Sequence, residues 1–297
     1  MRGNIYDRLS FYHNENTLHS YAQTVDLHEK CYDAHAEKFS STRQKKWPEF
    51  EWIGKQIQKS KPKIQNLPAG RQGSESMRIL ELWCGDGRFV WYLSENTILE
   101  DTKYDYTGVD IASGLLKIAK EKYPDHDRVQ HDMVGYIQEQ ESESVDVVLC
   151  VASFHHIPDR ETREYLLQQI YRILRYGGVM ITIDRSRSYR MMRKYRKAIL
   201  HSAVQSIISF GRHEHKTLSI PFHNNNKDMS HERVYHFFTR KELRDLCTIQ
   251  GFIVDAMTYS HPDGSFSDSR SSASNICTVI RKDIFIDNNI KDSDLDG

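Results

Sequence analysis

An apolar run that halts in a glycine turn and reopens as a helix constrains this chain more than any other stretch: Ile79-Leu80-Glu81-Leu82-Trp83-Cys84, then Gly85-Asp86-Gly87, then Arg88-Phe89. Glycine in such a turn admits backbone dihedrals closed to other residues and lets the chain pass close to a ligand. The same rhythm recurs downstream. Short apolar runs (YDYTGVD, RVQHD, SVDVVLCVAS, GGVMITID) alternate with helical stretches over 115–122 and 160–175, and two last strands, GFIVDAMTYS and SNICTVIRK, follow a helix over 240–250. This alternation predicts an α/β fold over residues 77–283, a seven-stranded, mostly parallel sheet with helices on both faces.

Outside that core the periodicity changes. Residues 1–60 read as an N-terminal helical extension of two helices, with Tyr32, His35 and Phe39 and later Trp47, Phe50, Trp52, Ile53 and Ile57 at spacings of three and four. Residues 61–76, KPKIQNLPAGRQGSES, lack apolar periodicity and read as a flexible linker or insertion, and 284–297 as an acidic disordered tail. No apolar stretch is long enough to cross a bilayer and no hydrophobic leader opens the chain, which predicts a protein without membrane contact. The five cysteines are an odd number without a C-x-x-C pair, so the expectation is a reducing, cytoplasmic setting without disulfides or a zinc knuckle. The polar segment 211–231, with His213, His215, His223 and His231, reads as a loop rather than a metal site, because no four-ligand spacing is present; no metal is expected.

Lys+Arg and Asp+Glu both number 41, so only local clustering could point to a polyanionic partner. Such a cluster lies at 185–197, where Arg185, Arg187, Arg190, Arg193, Lys194, Arg196 and Lys197 occur without an acid. As one long basic helix it would bury Met191, Met192, Tyr195 and Ile199 and present Arg190, Arg193, Lys194 and Lys197 to phosphates, though charge runs also serve as plain solvated faces.

Acids close the strands after the glycine turn. Asp110, ending the second strand with Ile111 beside it, stands where a carboxylate accepts from both hydroxyls of a ribose; its alternative is a helix N-cap. Asp132 with Met133, after the third, stands where an acid accepts from an adenine amino group and a thioether packs on the ring; its alternative is a turn residue. Val151 closes the fourth strand, and His155-His156 follow where open α/β sheets place their chemistry. No G-x-x-x-x-G-K-[ST] and no full G-x-G-x-x-G appears, which disfavours a phosphate-bearing nucleotide.

In order, Glu81, Gly85, Gly87, Asp110 and Asp132 resemble the class I S-adenosylmethionine-dependent methyltransferases, whose first motif reads acid-x-Gly-x-Gly-x-Gly. The resemblance implies a Rossmann-like core, S-adenosyl-L-methionine as cofactor, and Glu81, Trp83, Cys84, Gly85, Gly87, Asp110, Ile111, Asp132, Met133 and Val151 as its binding residues. One departure is plain: Trp83 replaces the family's first glycine, and its indole either stands at the mouth of the cofactor site or turns into the core.

A narrower resemblance is carried by Cys31-Tyr32-Asp33-Ala34-His35-Ala36-Glu37-Lys38-Phe39-Ser40-Ser41-Thr42-Arg43 with Trp47-Pro48, by His155-His156 followed by Arg163 and Arg172-Ile173-Leu174-Arg175-Tyr176-Gly177-Gly178, and by Arg233-Val234-Tyr235-His236-Phe237-Phe238. These resemble the wobble-uridine carboxyl methyltransferases of tRNA. That implies tRNA modification, methyl transfer to the carboxylate of a 5-carboxymethyl-type uridine, and as partners tRNA, reached through the basic helix, and a small activating protein subunit. A carboxylate requires a clamp rather than a base, and Arg43, His155 and His236 are groups of the right kind; toward an amine, hydroxyl or carbon, His155 would be the base. Two other readings stay open: a small-molecule methyltransferase of the same fold, and a binding protein that kept the fold without turnover.

Overall fold

β1 (Met77–Leu82) is buried at every position but Arg78, and β4 (Val145–Val151) at every position but its last. Strands covered on both faces read as unbroken apolar runs, which is why neither alternates. The computed structural model describes residues 15–43, 47–65, 76–96, 99–208, 216–221 and 232–283, and in it these two strands run side by side and parallel. β2 (Tyr104–Asp110) and β3 (Asp127–Gln130) extend the sheet beyond β1, and β5 (Leu174–Arg185) extends it beyond β4, all parallel. On the far side β10 (Asn275–Arg281) pairs antiparallel with both β5 and β8 (Ile253–Ser260). Strand order reverses between β1 and β4, leaving a crevice outside their carboxyl ends.

Seven strands were expected and eight are seen in this sheet: the two-residue β9 (Phe266–Ser267) folds back onto β8 as an edge hairpin. A separate two-stranded sheet also forms, β6 (Thr217–Pro221) with β7 (Glu232–His236). The reading of 211–231 as loop is thus corrected at 217–221, where Leu218 and Ile220 turn inward and Ser219 outward. His213, His215, His223 and His231 lie outside the described residues, as does the tail 284–297.

Helices cover both faces. One apolar layer holds α6 (Met133–Gln138), α7 (Arg160–Ile173) and α10 (Arg240–Ile249); the other holds α4 (Arg88–Ser94). Among the described residues the N-terminal extension has three helices where two were expected, and they part around the sheet. α1 (Glu15–Ala34) sends Tyr21 and Val25 into the first layer, while α3 (Pro48–Gln65) sends Phe50, Ile53 and Ile57 into the second. Between them α2 (Ala36–Ser41) packs on α5 (Ser113–Lys122), so residues 35–43 cross the crevice. Because α3 runs past Pro62 to Gln65, the linker expected over 61–76 begins no earlier than residue 66, and 66–75 lie outside the described residues.

The single basic helix expected over 185–197 is corrected. Arg185 still belongs to β5, and Ser186 bridges to Phe238. Ser188 then caps α8 (Tyr189–Lys194), accepting from Met191 N while its hydroxyl donates to Ala273 O, and α9 (Arg196–Ile208) starts after a break at Tyr195. A serine with both hydroxyl roles engaged starts a helix there. The expected inner side holds in outline: Met191 is buried, and Tyr195 and Ile199 pack against it, with Arg193, Lys194, Arg196 and Lys197 exposed. No described helix is long and apolar enough to cross a membrane, and all five cysteines are free and buried.

Candidate functional site

The crevice outside β1, β2, β4 and β5 is a partly open cleft whose empty space, solvent side included, is about 850 Å³. Glu81, Trp83, Cys84, Gly85, Asp110, Ile111, Val151 and His155 line it, and Arg43 reaches it from the crossing segment. Gly85 N donates to Asp110 Oδ2 at 2.8 Å, and Ala112 N donates to Asp110 Oδ1 at 2.9 Å. One carboxylate therefore ties the glycine turn to the start of α5, and each oxygen keeps acceptor capacity for a ligand. Burial nevertheless pushes Asp110 up to about 6, those N–H bonds pulling the other way. Burial likewise pushes Glu81 up to about 7, opposed by the hydroxyl of Tyr106, which donates to its Oε2, and by Arg128 and Arg88.

Gly85 sits at φ +59°, and a Cβ there would meet only Phe39 within 4 Å, at 3.9 Å. Its space opens to the cavity. Gly87, at φ +79°, does not line the cavity; it caps α4, and a Cβ there would press on Tyr123 and Ala119 at 3.2 and 3.3 Å. Trp83 has a left-handed backbone, φ 58°, a region glycine enters without steric cost. For a bulky side chain that conformation costs about 1–2 kcal/mol. Its indole faces the cavity rather than the core alone, 5.3 Å from the His28 ring and 5.7 Å from that of His156.

Three histidines meet here. His28 and His156 lie 4.6 Å apart, and His155 and His156 lie 4.5 Å apart. Val234 sews them to β7, its N–H donating to His28 Nε2 at 3.1 Å and its carbonyl accepting from His156 Nδ1 at 2.6 Å. Burial pushes all three imidazoles below their ordinary value, His28 to about 3, and Arg233 adds to the effect. At neutral pH they are uncharged.

Two sequence expectations are corrected by period-two geometry and by capping. His236 does not reach the cavity. It is fully buried, with Nδ1 3.0 Å from Thr217 Oγ1 and Nε2 2.9 Å from Glu242 Oε1. Side chains alternate along a strand, so β7 turns Arg233 and Tyr235 to the cavity and His236 away. Asp132 and Met133 do not line the cavity either. Asp132 caps α6, Oδ1 accepting from Gly135 N at 2.8 Å and from Tyr21 Oη at 3.3 Å, and Met133 is buried in the core beneath. Asp132→Ala should lower stability by about 1–2 kcal/mol, seen as a lower Tm; an unchanged melting curve would remove the cap from the fold's support.

Sequence reasoning missed Arg185, Arg233 and Tyr235, which line the same cavity as Arg43. Arg43 lies with its guanidinium 3.7 Å from the Phe39 ring centroid, Arg233 5.3 Å from that of Tyr235, and Arg185 donates to Asn275 Oδ1 at 3.0 Å. The R-x-Y spacing of Arg233 and Tyr235 was the available signal, once 232–236 is known to be a strand. Carboxylates and guanidinium groups thus share one cleft, which suits a ligand pair with hydroxyl donors and positive charge in one part and an anion in another.

Residues 80–180 match a family model described as a methyltransferase domain. Over 175 residues the chain is 28% identical to the tRNA (carboxymethyluridine(34)-5-O)-methyltransferase of Arabidopsis thaliana, covering 57% of this chain and 36% of that protein. Over 123 residues it is 30% identical to the arsenite methyltransferase of Homo sapiens, covering 37% of this chain and 31% of that protein. The match thus spans only about a third of the length of these relatives. An S-adenosylmethionine-dependent methyltransferase structure from Methanosarcina mazei superposes with TM-score 0.54 at 18% identity, covering 71% of this chain and 94% of that one, a likeness of fold.

Proposed function

We propose that this chain, whose residues 80–180 match a methyltransferase domain and whose fold is like that of the Methanosarcina mazei S-adenosylmethionine-dependent methyltransferase structure, transfers a methyl group from S-adenosylmethionine to an acceptor that already bears a negative charge, the carboxylate of a modified wobble uridine in tRNA. The convergence of Arg43, Arg185 and Arg233 on the cavity carries this reading, and the likeness to the Arabidopsis thaliana tRNA enzyme supports it.

The residues fit the cofactor: Gly85 leaves room where a side chain would intrude, and the buried carboxylates of Glu81 and Asp110 call for donors and positive charge. When bound, S-adenosylmethionine supplies an electrophilic methyl group on a sulfonium sulfur. Glu81, Trp83, Cys84, Gly85, Asp110, Ile111 and Val151 would hold it, Asp110 through ribose hydroxyls. Gly87, Asp132 and Met133 support that floor from beneath.

A carboxylate nucleophile is ionised at neutral pH and needs no proton removed. What the chain supplies is alignment and the exclusion of water. Arg43, Arg185 and Arg233 donate charge-assisted hydrogen bonds to an anion, while Trp83, His156 and Tyr235 wall it off. Labelled S-adenosylmethionine with total tRNA, followed by nucleoside analysis, tests the reading. Label in an alkali-labile uridine ester is expected, and label confined to small acceptors overturns it in favour of the small-molecule activity that the arsenite methyltransferase likeness suggests.

The tRNA body would meet the cations that leave the cavity with the chain. Arg190, Arg193, Lys194, Arg196 and Lys197 line one open groove that holds no acidic side chain among the described residues, and Arg187 and Arg270 line a neighbouring one. Neutralised phosphates make binding salt-dependent, by nearly one counterion per contact. Arg193→Glu with Lys194→Glu should weaken tRNA binding and flatten its salt slope by about two while leaving cofactor affinity intact. An unchanged slope removes this face from the interface.

A further inference from the structure

Behind His155 stands a carboxylate that the methyl-transfer reading leaves unused. Asp184, near the end of β5, is wholly buried, and its Oδ1 lies 3.3 Å from His155 Nδ1. Its Oδ2 accepts from the hydroxyl of Thr182, which points the same way two residues earlier on the strand. Apart from that hydroxyl, the described residues give this carboxylate no hydrogen bond, and Oδ1 has none of good geometry. A buried carboxylate in such surroundings is costly unless a proton-bearing neighbour compensates it. The imidazole of His155 is that neighbour.

The ring is held by packing as well, stacked on Tyr235 at 5.3 Å and 14° and tilted against His156. Neither Nδ1, which lies 3.3 Å from Asp184 Oδ1, nor Nε2 makes a hydrogen bond among the described residues, and the side chain lines the cavity. With Nδ1 turned to a carboxylate, the neutral ring carries its proton on Nδ1 and its lone pair on Nε2. Such a lone pair repels an anion; a protonated Nε2 binds one. The other groups facing His155 are Arg185 on β5, Arg233 and Tyr235 on β7, His156 beside it and His28 on α1, so Asp184 alone among them favours the imidazolium.

We propose that Asp184, seated by Thr182, is the positioning residue for His155: it fixes the Nδ1–H tautomer and stabilises the imidazolium that forms as an anionic acceptor enters, so that acceptor binding takes up one proton. This deepens the anionic-acceptor reading and rests on it for the second half alone. The proton comes from solvent, adds to Nε2, and leaves after the neutral ester departs; the methyl transfer itself is unchanged. Asp184 acts through His155 and touches no substrate.

The tautomer is measured on the free, full chain by long-range ¹⁵N–¹H correlation of the histidine rings. A pyrrole-type Nδ1 and a pyridine-type Nε2 are expected for His155 in the wild type, with a mixed pattern in Asp184→Asn, whose amide donates as well as accepts. The reverse tautomer in the wild type overturns the proposal, whether or not the variant folds. Calorimetric titration with total tRNA in buffers of different ionisation enthalpy should show about one proton fewer taken up by Asp184→Asn, and kcat should fall about a hundredfold with cofactor affinity kept. Wild-type turnover should decline as pH rises through the bound-state value of His155. An increase with pH, or proton release, makes His155 a base toward a protic acceptor and overturns the proton-uptake half. Absence of label on tRNA with the tautomer as stated defeats the tRNA reading and leaves the Asp184–His155 pair standing.

Discussion

Asp110→Ala is expected to fold and to lose S-adenosylmethionine binding by more than about a hundredfold, since two hydrogen bonds to a charged acceptor are together worth roughly 3–6 kcal/mol. The variant also frees Gly85 N from its 2.8 Å bond, so the glycine turn loses its tether together with the ribose. Calorimetry reads the loss, and wild-type affinity would show that the cofactor lies elsewhere. A pH signature accompanies it. Asp110 and Glu81 sit at about 6 and about 7 in the fold, above their ordinary 3.8 and 4.5. Between about pH 4 and 7 the native state therefore holds protons that the unfolded chain has released, and stability falls as pH rises through that window. A ligand that brings donors and positive charge to these carboxylates recovers the loss, so the thermal shift produced by the cofactor should be larger at pH 8 than at pH 5.5. Asp110→Ala should flatten that dependence.

Arg233→Gln is expected to lower kcat/KM for the acceptor by about ten- to a hundredfold, the range that follows from losing a charge-assisted bond worth roughly 1.5–3 kcal/mol. The amide keeps most of the reach and none of the charge. Cofactor affinity should stay within about threefold, because Glu81 and Asp110 are untouched. Steady-state kinetics with cofactor saturating separates the outcomes. A loss in cofactor affinity with unchanged acceptor kinetics would place Arg233 on the donor side and leave the clamp to Arg43 and Arg185.

What could be read from the chain before folding follows the range of each interaction. The Ile79–Gly87 turn and Asp110 were legible because strand, turn and helix are local, and each strand end carries its own acid. The eight-stranded sheet was legible as seven because a two-residue edge strand has no period to detect. His236 and Arg233 could not be ranked, since the face each takes depends on β7 pairing with Thr217–Pro221, a segment whose neighbourhood looks like polar loop. Asp132 has the same type and strand-end position as Asp110, and its bonds from Gly135 N and from Tyr21, over a hundred residues away, make it a cap rather than a ligand-facing acid. His28 and Asp184 were invisible for a similar reason, their meaning arising from β7 in one case and from the turn after β4 in the other.

The indole of Trp83 gives the cavity an optical handle. It is one of four tryptophans in the chain, and its ring lies 5.3 Å from that of His28 and 5.7 Å from that of His156. Indole emission responds to the polarity and charge of its surroundings, so entry of a sulfonium ligand, departure of α1 with His28, or protonation within the histidine cluster should each alter intensity or wavelength. Subtracting the spectrum of Trp83→Phe isolates that signal, and a side chain that strains the backbone then lets occupancy be timed in the unlabelled protein.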